Sequence, residues 1–181
     1  FSRESPSYNN MYLSKLLAVP ETLHGFEWPA GFTARSGRVD CYASDAKLAR
    51  MYRAVLWTLL PSGHYLPLSD THVHAQPSGH IAHLGLRRFP EYFAGAMPRL
   101  GADRMDEYAL FQLSEAALKA DRGLTLPTTC FPAWRTAILR HQRATVALPF
   151  NRHGGHRHRD NLALFYDAGG KTLLGDQGYV G

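Results

Sequence analysis

The apolar residues of this chain change their spacing once, near Pro127, and that change decides which folds are open to it. Before Pro127 they recur at helical intervals; after it they alternate in the manner of a strand. Ser5-Pro6 marks a helix start, with proline at an early position where its missing N–H costs nothing, and Met11, Leu13, Leu16 and Leu17 continue an apolar face. A second helix is predicted from Ser44-Asp45 through Leu48, Met51, Tyr52, Val55, Leu56 and Leu59, stopped by Pro61-Ser62-Gly63. A third runs from about Asp103 through Met105, Tyr108, Phe111 and Leu118 and ends before Gly123. Leu66 to Pro98, between the second and third, reads as a long loop holding His72, His74, His80 and His83, and loops of that length are usually functional.

Past Pro127, Trp134, Thr136 and Ile138 alternate with Arg135, Ala137 and Leu139, and Ala144 to Phe150 is a second strand candidate. Leu162–Tyr166 and Thr172–Leu174 flank Asp167-Ala168-Gly169-Gly170, which has the residues of a hairpin turn. Helices followed by a run of strands imply an α+β chain with an α-helical part over 1–126 and an antiparallel β part over 127–181, rather than a βαβ protein.

The net charge of +5 and the ten histidines favour an acidic partner. Nucleic acid, an anionic polymer or a membrane surface would each qualify, but the basic residues are scattered and form no nucleic-acid-binding motif. No apolar run is long enough to span a bilayer. Cys41 and Cys130 make no disulfide framework and read as small half-buried residues. Arg87-Arg88 reads as solvated surface, and Trp134 as core of the β part. The chain opens on Phe1 and closes just after a strand-like segment, so the expectation is an excerpt of a longer protein.

The last thirty residues concentrate the chemistry. His153, His156, His158, Asp160 and Asp176 surround the predicted hairpin. Imidazole and carboxylate together suit zinc, and they also suit proton transfer near neutral pH. On an extended backbone His156 and His158 share one face. A hairpin returning toward His158 brings Asp176 with it, which supplies two metal ligands where structural zinc takes four. The same residues also read as a solvated basic loop without metal, and Asp160 as an orienting partner of His158 or a turn cap.

His156-Arg-His158-Arg-Asp160-Asn-Leu162, followed by Gly170-Lys-Thr-Leu-Leu-Gly-Asp176-Gln-Gly178-Tyr179, resembles the signature of the heparinase II/III-like polysaccharide lyases. Phe131-Pro132-Ala-Trp-Arg-Thr-Ala-Ile-Leu139-Arg140 is similar to that family's first β-domain strand, which usually has glycine where Arg135 stands. Phe1-Ser-Arg-Glu4-Ser-Pro6-Ser-Tyr8-Asn resembles the segment carrying its catalytic tyrosine, whose usual form is Asp-Gly-Phe-x-x-Glu-Gly-Pro-x-Tyr. Pro61-Ser-Gly63-His-Tyr-Leu-Pro67-Leu-Ser-Asp70 is similar to its Pro-Asp-Gly-x-x-Pro-x-x-Gly-Asp loop, with Ser69 in place of the glycine.

The resemblance implies the C-terminal part of an incomplete (α/α) toroid followed by the start of an antiparallel β-sandwich domain, with the active site between them. It implies a lyase that cleaves a uronic-acid-containing polysaccharide by β-elimination in the periplasm or outside the cell. Tyr8 and His156 match its catalytic residues; His158 and Asp176 match two ligands of a structural zinc. Asp70 and His72 are candidates for binding substrate. Two other readings stand beside this one: a glycan-binding module of the same fold without turnover, and a zinc-dependent hydrolase in which the histidines activate water.

Overall fold

A computed structural model describes residues 5–31, 40–43, 46–124, 126–150 and 164–175. The chain is an α+β protein: a helical region comes first and a five-stranded open antiparallel sheet follows. The helices are α1 (Pro6–Leu16), α2 (Ala18–Leu23), α3 (Lys47–Trp57), α4 (Gly79–Arg88), α5 (Pro90–Phe93), α6 (Glu107–Gln112) and α7 (Glu115–Lys119), with a 3₁₀ turn at Met97–Leu100. The strands are β1 (Thr129–Phe131), β2 (Thr136–His141), β3 (Ala144–Pro149), β4 (Phe165–Ala168) and β5 (Lys171–Leu174).

α1 begins as its sequence predicts. The Ser5 hydroxyl accepts from the Tyr8 amide at 3.3 Å, and Pro6 occupies the first turn. α3 starts at Lys47, inside the expected boundary; Ser44 and Asp45 lie outside the described residues. It buries Ala49, Met51, Tyr52, Ala54, Val55 and Leu56, one continuous apolar face.

The stretch predicted to be a loop, Leu66 to Pro98, is corrected by the structure: it contains α4 and α5. Glycines and histidines hide α4 from a propensity argument, because each glycine costs a helix about 1 kcal/mol relative to alanine. Its start is set instead by the Ser78 hydroxyl, which accepts from the Ile81 amide at 3.3 Å. Gly85 is needed by packing: a Cβ there would stand 2.6 Å from the Phe93 ring. The single helix expected over Asp103–Gly123 is two, α6 and α7. Leu113 between them is extended, and the Ser114 hydroxyl caps α7 by accepting from Ala117 at 3.2 Å. Cys130 is exposed, not half-buried.

The strands pair in sequence order, each antiparallel to the next. Trp134 lies in the turn before β2 rather than in the strand, and is buried as expected. Asp167 and Ala168 belong to β4, so the β4–β5 turn is Gly169-Gly170 alone. Both glycines have positive φ, 60° and 77°, which is what a two-residue hairpin turn of the favoured hand requires. Side chains paired across strands share a face, so the inner face consists of rows. Ile138, Ala147 and Phe165 make one row; Arg140, Thr145, Asp167 and Thr172 make the next.

The first row packs on the helical region. Ile138, Ala147, Phe165, Phe131 and Trp134 form one buried cluster with Ala54 of α3 and with Leu60, Leu66 and Leu68 of the segment that follows it. A second cluster lies among the helices, and Trp57 packs against both. Each large apolar side chain removed from water contributes about 1.5–3 kcal/mol. No helix among the described residues is long and apolar enough to cross a membrane.

Candidate functional site

The start of α1 is held from three sides. The Ser7 amide donates to Thr71 Oγ1 at 3.3 Å. Asn9, buried, donates from Nδ2 to the Met51 carbonyl of α3 at 3.2 Å. Asn10 Oδ1 accepts from the Tyr65 hydroxyl at 3.3 Å and from the Ser78 amide, the cap of α4, at 3.4 Å. Tyr8, half-exposed, therefore stands on a turn whose backbone and neighbours are fixed by contacts distant in sequence.

The Thr71 bond also brings two of the sequence-predicted residues to this end of α1. Asp70 and His72 flank Thr71 directly, Asp70 half-buried and His72 exposed. Tyr8, Asp70 and His72 thus come from segments tied by one hydrogen bond. Thr71 itself is buried, as is Ser69. Sequence reasoning did not single out Thr71, Asn9 or Asn10. The signal was present for Asn9, a polar residue four positions before Leu13 on the apolar face of α1.

Backbone conformation marks the same loop. Among the described residues, those other than glycine with left-handed φ are Ser69 (52°), Arg135 (48°) and Gln142 (49°). A side chain in that region costs roughly 1–2 kcal/mol, which is why glycine usually fills it. Ser69 and Arg135 are two of the three positions at which the resembled pattern has glycine and this chain does not; at the third, Ser5, the backbone is extended, with φ -158°.

His156, His158, Asp160 and Asp176 lie outside the described residues. Among the described residues no group of three or more His, Cys, Asp or Glu side chains is arranged to hold a metal ion.

Two polar clusters elsewhere brace the helices. His83 is buried in α4, with Nε2 2.9 Å from the Ala102 carbonyl and Nδ1 3.0 Å from Asp106 Oδ2, the latter close but off the N–H axis. Burial pushes the Asp106 carboxyl up, yet the Ala109 amide and His83 together hold it below its ordinary value. The second cluster corrects the reading of Arg88 as solvated, while Arg87 is exposed as expected. Arg88, its side chain 10% exposed, donates from Nε and Nη2 to the two oxygens of Glu21 at 2.8 and 2.7 Å. The Tyr42 hydroxyl donates to Glu21 Oε1 as well, and the guanidinium stacks over the Tyr42 ring at 4.9 Å. Burial alone would raise Glu21, but Arg88 and Tyr42 outweigh it and hold the carboxyl below its usual value. Burial, then Glu21, pushes the Tyr42 phenol far up. No protein-family model matches the chain, and neither does any curated protein or solved structure with which it was compared.

Proposed function

We propose that this protein is a polysaccharide lyase of the heparinase II/III-like kind, cleaving a uronic-acid-containing polymer by β-elimination. In this reading the helical region is part of an (α/α) toroid and the sheet is the start of a β-sandwich. The observation that carries the proposal is the backbone at Ser69 and Arg135, left-handed at two of the three positions where the resembled pattern calls for glycine and this chain has another residue; the third, Ser5, is extended. A resemblance of letters alone gives no reason for serine and arginine to adopt a glycine conformation at those positions. The Ser7–Thr71 bond adds support, since it joins the tyrosine segment to the Asp70 loop.

The reaction breaks two bonds on neighbouring carbons. A proton leaves the carbon beside the uronate carboxylate, the pair of electrons forms a carbon–carbon double bond, and the glycosidic oxygen departs from the next carbon. That proton is weakly acidic while the carboxylate is charged, so the site must offset the charge, take the proton and protonate the leaving oxygen. Tyr8 donates the proton to the leaving oxygen. For one uronate stereochemistry it also takes the first proton, and for this a phenol, with an ordinary pKa of about 10, needs neighbouring positive charge. His156 takes the base role for the opposite stereochemistry. Asp70 and His72 contact the sugar beside Tyr8. Zinc on His158 and Asp176 belongs to the proposal as a structural support. The substrate class sets the place of action in the periplasm or the medium.

The product's double bond is conjugated with its carboxylate, so ultraviolet absorbance detects turnover directly. The full-length protein with alginate or heparan sulfate is expected to give a rising signal. Tyr8→Phe should lower the rate by at least about 100-fold, within the range of a lost acid–base group, and leave polymer binding largely intact. Binding without an absorbing product, or full activity in Tyr8→Phe, overturns the proposal.

A further inference from the structure

The second row of the sheet's inner face does not reach the apolar core. Its first two members, Arg140 and Thr145, border a cavity of about 520 Å³ between the sheet and the helical region. The cavity is lined by Arg99 beside the 3₁₀ turn's end, by Arg140 and Thr145 of β2 and β3, by Gln142 and Arg143 of the turn between them, and by the Gly169-Gly170 turn. It shares no lining residue with Tyr8, Asp70, Thr71 or His72.

Three arginines thus meet around one space, and their charges are poorly offset. Arg99 has Asp121 at 3.6 Å, an exposed pair that contributes little. Among the described residues neither Arg140 nor Arg143 has a carboxylate within ion-pair distance. Asp167, next in the row after Thr145, does not line the cavity. Arg140 is the telling member. Its Nη2 donates to the Trp57 carbonyl at 2.8 Å, and its Nη1 reaches Thr145 Oγ1 only at 3.5 Å. Its Nε is buried and donates to nothing. Burial lowers its pKa to about 10, and no neighbouring acid restores it. A guanidinium carries five donors, so the bond to Trp57 accounts for a minor part of this one. A half-buried cation without a counter-charge is costly, and an anion in the adjoining space relieves that cost.

We propose that this cavity binds a small molecule through an oxyanion group, a carboxylate, sulfate or phosphate held by Arg140 and Arg143. Its volume exceeds what a free ion needs and lies in the range of small-molecule sites, which favours a sugar-sized bearer of that group. The inference does not rest on the lyase reading.

Thermal unfolding of the full-length protein tests it, titrated separately with glucuronate, sulfate and phosphate against chloride at matched ionic strength. A saturable rise in Tm with an oxyanion and none with chloride is expected. Arg143→Gln, at an exposed turn and so without consequence for folding, should weaken the apparent affinity about tenfold. Glucuronate acting at lower concentration than sulfate or phosphate assigns the group to an acidic sugar; the reverse order assigns a free ion or a phosphorylated or sulfated ligand. No saturable effect beyond chloride, or an identical titration in Arg143→Gln, overturns the proposal.

Discussion

Glu21 holds Arg88 through both carboxylate oxygens while accepting from Tyr42, so its loss strands a guanidinium that is only 10% exposed. Glu21→Gln is expected to cost about 1.5–3 kcal/mol at pH 7, the usual worth of hydrogen bonds to a charged group. The carboxyl is held below its ordinary pKa in the folded state. Its contribution is therefore complete above the unfolded value and is lost as pH falls through the lower folded one. Urea unfolding of both proteins between pH 7 and pH 3 checks this. The gap should be widest near neutrality and shrink in acid; a gap that grows in acid contradicts the sign. The sequence concealed this pair because 67 positions separate its members, and an arginine doublet at the end of a helix looks solvated without its partner. Ser5, Pro6 and Trp134 were legible, since a cap, a first-turn proline and a buried indole each follow from short-range chemistry.

Among the elements, the strands were easier to read than the helices. Alternation in β2 and β3 and the glycine pair of the β4–β5 turn are local signals, and their pairing followed. α4 was missed because its justification is tertiary: Gly85 exists for the Phe93 ring. α6 and α7 read as one helix in the sequence because only two extended residues, Leu113 and Ser114, separate them. Of the candidate site, the sequence offered Tyr8, Asp70 and His72 but not the Thr71 bond joining their segments, which depends on chain reversal through α3. The turn before β2 gives a direct test of left-handed strain. Arg135 has φ 48°, its side chain is exposed, and its backbone is fixed by bonds from its amide to Pro132 and from the Phe150 amide to its carbonyl. Arg135→Gly should stabilise the protein by about 0.5–1 kcal/mol, the strain relieved less the entropy glycine loses. A chemical denaturation midpoint that falls in this variant would show that the arginine is not strained.

At the scale of the whole molecule, the helical region and the sheet share one of the two cores. Leu66 is fully buried there, reached from α3 by its amide's bond to the Thr58 carbonyl at 2.8 Å. Leu66→Ala should cost about 2–5 kcal/mol through lost contacts and a residual cavity. Calorimetry should show the entire transition moving down as one peak; a sheet transition splitting away from an unshifted helical one would contradict a common core. The order of helices and strands was readable from periodicity, whereas their mutual burial gathers into one cluster residues such as Ala54 and Ile138 that no local pattern links.

Trp57 touches both clusters, and the Arg53 guanidinium lies 5.7 Å above its ring. With Trp28 and Trp134 replaced by phenylalanine, its indole becomes an optical gauge of the seam: loosening on either side, or withdrawal of the cation, alters the light it emits, and emission followed over time would record how the halves come apart.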